Sequence, residues 1–358
     1  MRYVDEYREP ELLRGLAQAI RETGVSGKRL MEVCGTHTMA AARFGLRSLL
    51  EGTVRVSSGP GCPVCVTPQK DIDRFLAIGF AHGAILTSFG DMLRVPGSES
   101  SLEEARAQGV DVRIVYSCMD AVDLACETDR EVVFFGVGFE TTAPGVGVAV
   151  VEAQKRGLRN FSVLAAHKTM PTALEALASS DIEVHGFILP GHVSTIIGAA
   201  VYEFLPERYG MPCVISGFEP ADMLQAVKVL LEQIKAQQPK VEIQYSRAVS
   251  REGNRAAQAV LNRVFEPCDA AWRGLGMIEG SGLRLRDEFA QFDAAKRFDV
   301  EVPDRPEPAG CLCGQVLAGR VDPSDCSLFG EACTPEHPVG ACMVSSEGAC
   351  AAWYRYRG

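Results

Sequence analysis

The sequence predicts an α/β protein with two tandem Rossmann-like domains built on parallel sheets and a third, cysteine-rich α+β domain. Three observations lead there. Short, continuous apolar runs alternate with helical stretches through the first two-thirds of the chain, the pattern of strands buried on both faces of a parallel sheet. Nearly every run ends in a glycine-rich or polar turn. Six of the thirteen cysteines lie beyond residue 310.

The elements follow in order. Leu12, Leu13, Leu16, Ala19 and Ile20 give residues 10–23 the apolar stripe of an amphipathic helix. A first series of strands is expected at 29–33, 53–57, 84–88 and 112–116, and a second at 132–137, 161–165, 184–189 and 213–216. Four strands in each series predict domains at 28–126 and 127–218. A helix to about residue 236, a strand at 241–245 and a helix near 251–264 come next. Four glycines make 272–286 extended and turn-rich, and prolines punctuate 303–308 before the cysteine-rich tail. The third domain is expected to combine 1–27 with 219–358.

At 358 residues the chain has material for two or three domains. Its net charge of −10 offers no basic surface for nucleic acid. The start, Met1-Arg2-Tyr3-Val4-Asp5-Glu6-Tyr7, has no apolar signal core, and no apolar run reaches membrane-spanning length. A cytoplasmic protein is expected, and in that reducing compartment thirteen cysteines do not form a disulfide framework. Cys118, Cys126, Cys213 and Cys268, in or near apolar segments, read as inert packed residues.

In the tail, Cys313, Cys326, Cys333 and Cys350 are separated by twelve, six and sixteen residues, with Cys311 and Cys342 among them. Zinc sites use paired C-x₂₋₄-C knuckles, because one tight turn presents two ligands to a tetrahedron. Here the C-x-C pair is too tight and the others are widely spread, and a compact apolar shell with Phe329, Met343 and Val344 suits a low-potential cluster, which favours [4Fe–4S] over zinc or scattered thiols. Cys311 and Cys342 read as neighbours of that site or as packing residues. Cys62-Pro63-Val64-Cys65 is a C-x-x-C with no matching second pair nearby, and reads as a redox dithiol. Cys34, with His37 three residues on, sits in a strand-to-helix turn where a helix N-terminus would stabilise its thiolate. Nucleophile, metal ligand and packed turn cysteine are all open readings of it.

Strand-end turns of open α/β sheets face ligands. Those carrying Asp91, Glu140, His167 and His192 are therefore expected to share a cleft with Cys34. A lone strand-end histidine is more often a hydrogen-bonded structural residue than a catalyst, but the repeated location favours a site. Gly136-Val137-Gly138-Phe139-Glu140 lacks the dinucleotide fingerprint, and no phosphate-binding Walker motif occurs.

Several long motifs, in order along almost the whole chain, resemble the HypD family of [NiFe]-hydrogenase maturation proteins. They are Glu32-Val33-Cys34-Gly35-Thr36-His37-Thr38, Gly59-Pro60-Gly61-Cys62-Pro63-Val64-Cys65, Gly90-Asp91-Met92-Leu93-Arg94-Val95-Pro96-Gly97, Gly138-Phe139-Glu140-Thr141-Thr142-Ala143-Pro144, Leu189-Pro190-Gly191-His192-Val193-Ser194 and Ile215-Ser216-Gly217-Phe218-Glu219-Pro220. The tail matches the family's C-x₁₂-C-x₆-C-x₁₆-C motif. The resemblance implies a scaffold and redox protein rather than a conventional turnover enzyme. It would work with the small chaperone HypC and with HypE, the supplier of cyanide, to assemble an Fe(CN)₂CO unit. It further implies that Cys34 ligates that iron, with His37 beside it as ligand or proton donor. Cys62 and Cys65 would exchange electrons with a [4Fe–4S] cluster on Cys313, Cys326, Cys333 and Cys350, while Asp91, Glu140 and His192 steer protonation. The alternative is a stand-alone iron–sulfur thiol–disulfide oxidoreductase acting on a protein client.

Overall fold

The computed structural model describes residues 4–356; the first three residues of the start read above for a signal core lie outside that range. Parallel strands form at β1 (Lys28–Glu32), β2 (Val54–Ser58), β3 (Ile85–Ser88), β4 (Val112–Ile114), β5 (Val132–Gly136), β6 (Phe161–Ala165), β7 (Phe187–Pro190), β8 (Cys213–Ser216) and β9 (Val241–Ile243). Each strand expected from the apolar runs is present. No helix among the described residues is long and apolar enough to cross a membrane.

The grouping of the strands corrects the tandem arrangement. One sheet has the order β2-β1-β7-β8-β9 and the other β4-β3-β5-β6, with parallel pairing throughout. The second sheet is thus a contiguous insertion between β2 and β7 of the first. A boundary at 126/127 would cut it in half. The physical reason is that a buried apolar run records burial on both faces but not the identity of its hydrogen-bonded neighbour. Here β1 takes β7 as its second neighbour, through Met31 opposite Phe187 and Glu32 opposite Ile188.

The N-terminal helix, Pro10–Glu22, is also reassigned. It packs on the 17-residue helix Pro220–Ala236, and both cover the five-stranded sheet rather than the cysteine-rich segment. The longer helix starts on Pro220, whose missing N–H is no loss at the first turn. Glu219 and Asp222 close a reciprocal cap there. Its Leu224, Val227, Leu230 and Leu231 are buried with Ile20, Leu30, Ile188 and Val214 in one core.

After the helix Arg255–Val264 the chain forms an antiparallel hairpin, β10 (Phe265–Trp272) and β11 (Gly276–Leu285), with a register shift between Cys268 and Ala270. Phe265, Leu283 and Leu285 pack into the core of the four-stranded sheet. At the hairpin tip Arg273 N–H donates to Val66 O at 2.8 Å and its Nε to Thr67 O at 3.1 Å. The tip therefore braces the segment that follows the C-x-x-C. Of the expected α+β third domain, this hairpin is the β part. The cysteine-rich segment is built instead from short helices, Cys313–Leu317 and Ala349–Arg355, and turns. A single core joins it to both sheets through Met31, Phe75, Cys65, Phe187, Cys313 and Cys342.

Leu230 is fully buried, so Leu230→Ala should lower unfolding stability by about 2–5 kcal/mol, read as a shift of the urea midpoint with unchanged slope.

Candidate functional site

Cys34, two residues beyond the end of β1, is the N-cap of the helix Gly35–Arg43. The loop after β2 lies directly against it. Gly35 N–H donates to Gly61 O at 2.9 Å, and a Cβ on Gly61 would stand only 2.1 Å from Cys34 N. Only glycine fits there. On its other side Gly35 meets Glu347 of the cysteine-rich segment, where an added Cβ would be 2.6 Å from the Glu347 Cβ. Thr36 Oγ1 donates to Glu347 Oε1 at 2.6 Å, which ties that segment to the Cys34 turn.

Glu32 and Glu347 flank this turn, and Glu140 follows β5 of the other sheet. Buried Glu32 accepts from Cys34 N–H at 3.1 Å and from Thr38 Oγ1 at 2.5 Å. Burial raises its pKa to about 7 against those bonds. Glu140 is buried at the end of β5; its Oε1 accepts from Met170 N–H at 2.9 Å, while Oε2 has no partner. Burial raises it to about 7 as well. Tyr202, buried and receiving a hydrogen bond from Ser194 Oγ at 3.3 Å, feels the charges of both Glu140 and Cys34. The half-buried Glu347 completes the set.

These surroundings overturn the expectation of a stabilised Cys34 thiolate. Burial, and then Glu347, push the thiol up to about 12, against the N–H groups of Thr36 and His37 that favour the anion. Without a cation beside it, Cys34 is a neutral thiol. His37 is likewise neutral: burial lowers it to about 4, with its Nε2–H donating to Gly217 O at 2.9 Å. Its Nδ1 is buried and free of any partner. Phe218 is stacked against His37 at 4.8 Å and against His192 at 3.9 Å, so His192 joins the same group of residues from the end of β7.

Two expected members stand apart. Asp91 is exposed in the turn after β3, and among the described residues no hydrogen bond or ion pair joins it to the others. The strand-end reasoning counted its turn as part of one cleft, but β3 belongs to the other sheet. His167 is buried with both ring nitrogens unpartnered, and burial drives it down to about 3. It packs edge-on to Phe265 and close to Gly136 and Gly138.

Cys62 caps the short helix Pro63–Val66, its Sγ accepting from Cys65 N–H at 3.3 Å. Cys65 is completely buried, and burial holds its thiol well above the usual range. Cys342, set aside by the spacing argument, proves central. Its thiol contacts Cys65, Cys313 and Cys350, with Cys313 Sγ at 2.9 Å. Cys311, Cys313, Cys326, Cys333, Cys342 and Cys350 line one small cavity with Leu328, Phe329 and Met343. All thirteen cysteines are free thiols. Of the four read as packed, Cys118 and Cys213 are buried, whereas Cys126 is exposed and Cys268 half-buried.

Among the described residues no three Cys, His, Asp or Glu side chains converge as ligands of one metal ion. The six thiols line one small cavity instead. Glu347 and Cys342 are the residues that the sequence reading missed. Only the odd cysteine inside the four-cysteine spacing hinted at Cys342, and nothing marked Glu347.

Glu140 keeps its proton in the folded chain between about pH 4.5 and 7, where the unfolded chain has released it. Stability contributed at this site therefore falls as pH rises through that window. Glu140→Gln should remove a loss on the order of 3 kcal/mol, seen by comparing denaturation at pH 5 and pH 8 in both proteins.

Comparison with known proteins agrees with these motifs. A family profile described as HypD, hydrogenase formation hypA family, matches residues 11–357. Hydrogenase maturation factor HypD2 of Bradyrhizobium diazoefficiens is 48% identical, covering 99% of this chain and 97% of its own. The HypD proteins of Azotobacter vinelandii and Cupriavidus necator are 46% and 45% identical, each over 99% of this chain and 97% of theirs. The chain belongs to the HypD family of hydrogenase maturation factors.

Proposed function

We propose that this protein is the cytoplasmic platform on which the Fe(CN)₂CO unit of a [NiFe]-hydrogenase is assembled, in complex with HypC and HypE. The observation that carries the reading is the placement of Cys34. It is one loop away from the C-x-x-C, whose inner thiol touches, through Cys342, the cysteines around the tail cavity.

The donor set suits a [4Fe–4S] cluster on Cys313, Cys326, Cys333 and Cys350: these four are among the six thiols around one cavity whose other side chains are apolar. When bound, such a cluster supplies single electrons beside a dithiol that exchanges them in pairs. Cys62 and Cys65 hold that pair, and Cys342 is the contact between them and the tail cysteines.

The iron being decorated is the substrate. Cys34 offers it a soft sulfur donor from a buried turn, and binding the cation releases the thiol proton that burial otherwise retains. His37 Nδ1 is the one ring nitrogen left free to ligate or to hold a proton, since Nε2–H is committed to Gly217 O. Glu32, raised to about 7 and bonded to Cys34 N–H, is the carboxyl group suited to taking up and returning protons beside Cys34, and Glu140, also raised to about 7, would serve from the other sheet. His192 stacks on Phe218, which stacks in turn on His37.

Infrared spectra of chain purified without oxygen, after co-production with its chaperone and the cyanide-supplying proteins, should contain cyanide and CO stretching bands. Those bands should vanish in Cys34→Ala. Their persistence in that variant, or their absence from the parent with active partners, favours the stand-alone oxidoreductase.

In a second test, Cys342→Ser should slow reduction of an oxidised Cys62–Cys65 pair at least tenfold while preserving the visible absorption of the tail cluster. Unaltered kinetics, followed by trapping the free thiols, would remove Cys342 from the electron path.

A further inference from the structure

Away from the Cys34 turn, a cavity of about 720 Å³ opens at the other end of β1. Its floor is the start of β1 and the edge strand β2, one wall is the helix Leu46–Leu50, and the cysteine-rich segment closes it with Asp322 and Trp353. Three guanidinium groups face this space: Arg29, Arg47 and Arg55.

Their partners do not account for them. Arg55 Nη2 pairs with Asp322 Oδ2 at 2.7 Å. Arg47 lies flat over the Trp353 ring, 4.3 Å from its centroid, and donates only a long bond of 3.4 Å to Ser58 Oγ. Arg29 Nη2 donates to Gly319 O, but its Nε is buried with no acceptor. Among the described residues neither Arg29 nor Arg47 pairs with a carboxylate, and Trp353 Nε1 is also buried and unpartnered. Burial weakens the hold of both on their protons; at Arg29 repulsion from Arg55 adds to it, whereas at Arg47 Glu32 and Asp322 oppose it.

Asp322 and Glu183 act on Arg29, and Glu32 and Asp322 on Arg47, only through space, and desolvation outweighs them at both guanidiniums. A clamp of Arg47 on Trp353, holding the C-terminal helix, explains one of the three guanidiniums. It leaves Arg29, whose Nε is buried without an acceptor, unexplained, while Arg55 borders the same space from its pair with Asp322. Planar guanidinium forks match phosphate oxygens in pairs, and the cavity has the volume of a small-molecule site. The exposed Glu51 and Glu183 lie at the rim, where water screens them.

We propose that this cavity binds a small phosphate-bearing anion, held by Arg29, Arg47 and Arg55, with Asp322 occupying Arg55 until the anion arrives. The site is separate from Cys34 and from the tail cysteines.

Titration calorimetry of the full chain with pyrophosphate at low ionic strength tests it, with inorganic phosphate and citrate as comparators. Saturable binding at one site is expected. Arg29→Gln should weaken it about tenfold, the cost of one charge-assisted hydrogen bond. Asp322→Asn, which frees Arg55 and keeps a helix-capping side chain, should tighten it severalfold. Circular dichroism checks that both variants are folded, and Arg55→Gln replaces Arg29→Gln if that variant is not. Absence of saturable heat, unchanged affinity in the folded arginine variants, or citrate binding as tightly as pyrophosphate overturns the assignment.

Discussion

The structure depends on one close approach: the backbone of Gly61 lies where no side chain could, against the amide of Cys34. That contact brings the loops after two adjacent strands of the five-stranded sheet onto each other. Hydrogen bonds from Gly35 N–H to Gly61 O and from Gly59 N–H to Glu32 O hold them. Because Cys62 follows Gly61 directly, the position of the C-x-x-C relative to Cys34 follows from the packing of glycine on backbone. Gly35 repeats the device towards Glu347, so the cysteine-rich segment is pressed to the same turn.

Burial then decides the electrostatics. The Cys34 thiol is raised, the His37 imidazole lowered, and Glu32 and Glu140 brought to about 7. The common cause is desolvation, which penalises whichever form is charged. A site of this kind is close to neutral on its own. It gains a strong thiolate only when a cation enters, which couples metal binding to proton release and suits a platform that must take up a metal unit and later surrender it.

The sulfur path has the same origin in packing. Cys65, Cys342 and Cys313 belong to the continuous core that joins both sheets to the tail, and their contacts are core contacts that happen to be made by thiols. Arg273, at the tip of the β10–β11 hairpin, adds a brace by donating to the carbonyls of Val66 and Thr67. Movement of the hairpin or tail would therefore alter the separation of these sulfurs.

Composition and periodicity were enough to define the strands and the turns that end them, because an apolar run of strand length bounded by glycine is a local signal. They also marked Cys34, the C-x-x-C and the six tail cysteines, since residue chemistry and spacing are written directly in the chain. Partner choice was not legible. That β1 pairs with β7, that Asp91 falls outside the group around Cys34, and that Glu347 and Cys342 fall inside it are matters of contacts between distant segments. Apolar runs and residue chemistry are local, so the strands and most of the reactive side chains are legible in the chain. Which of them meet depends on long-range packing, because burial on two faces constrains a strand's surroundings without naming its neighbours.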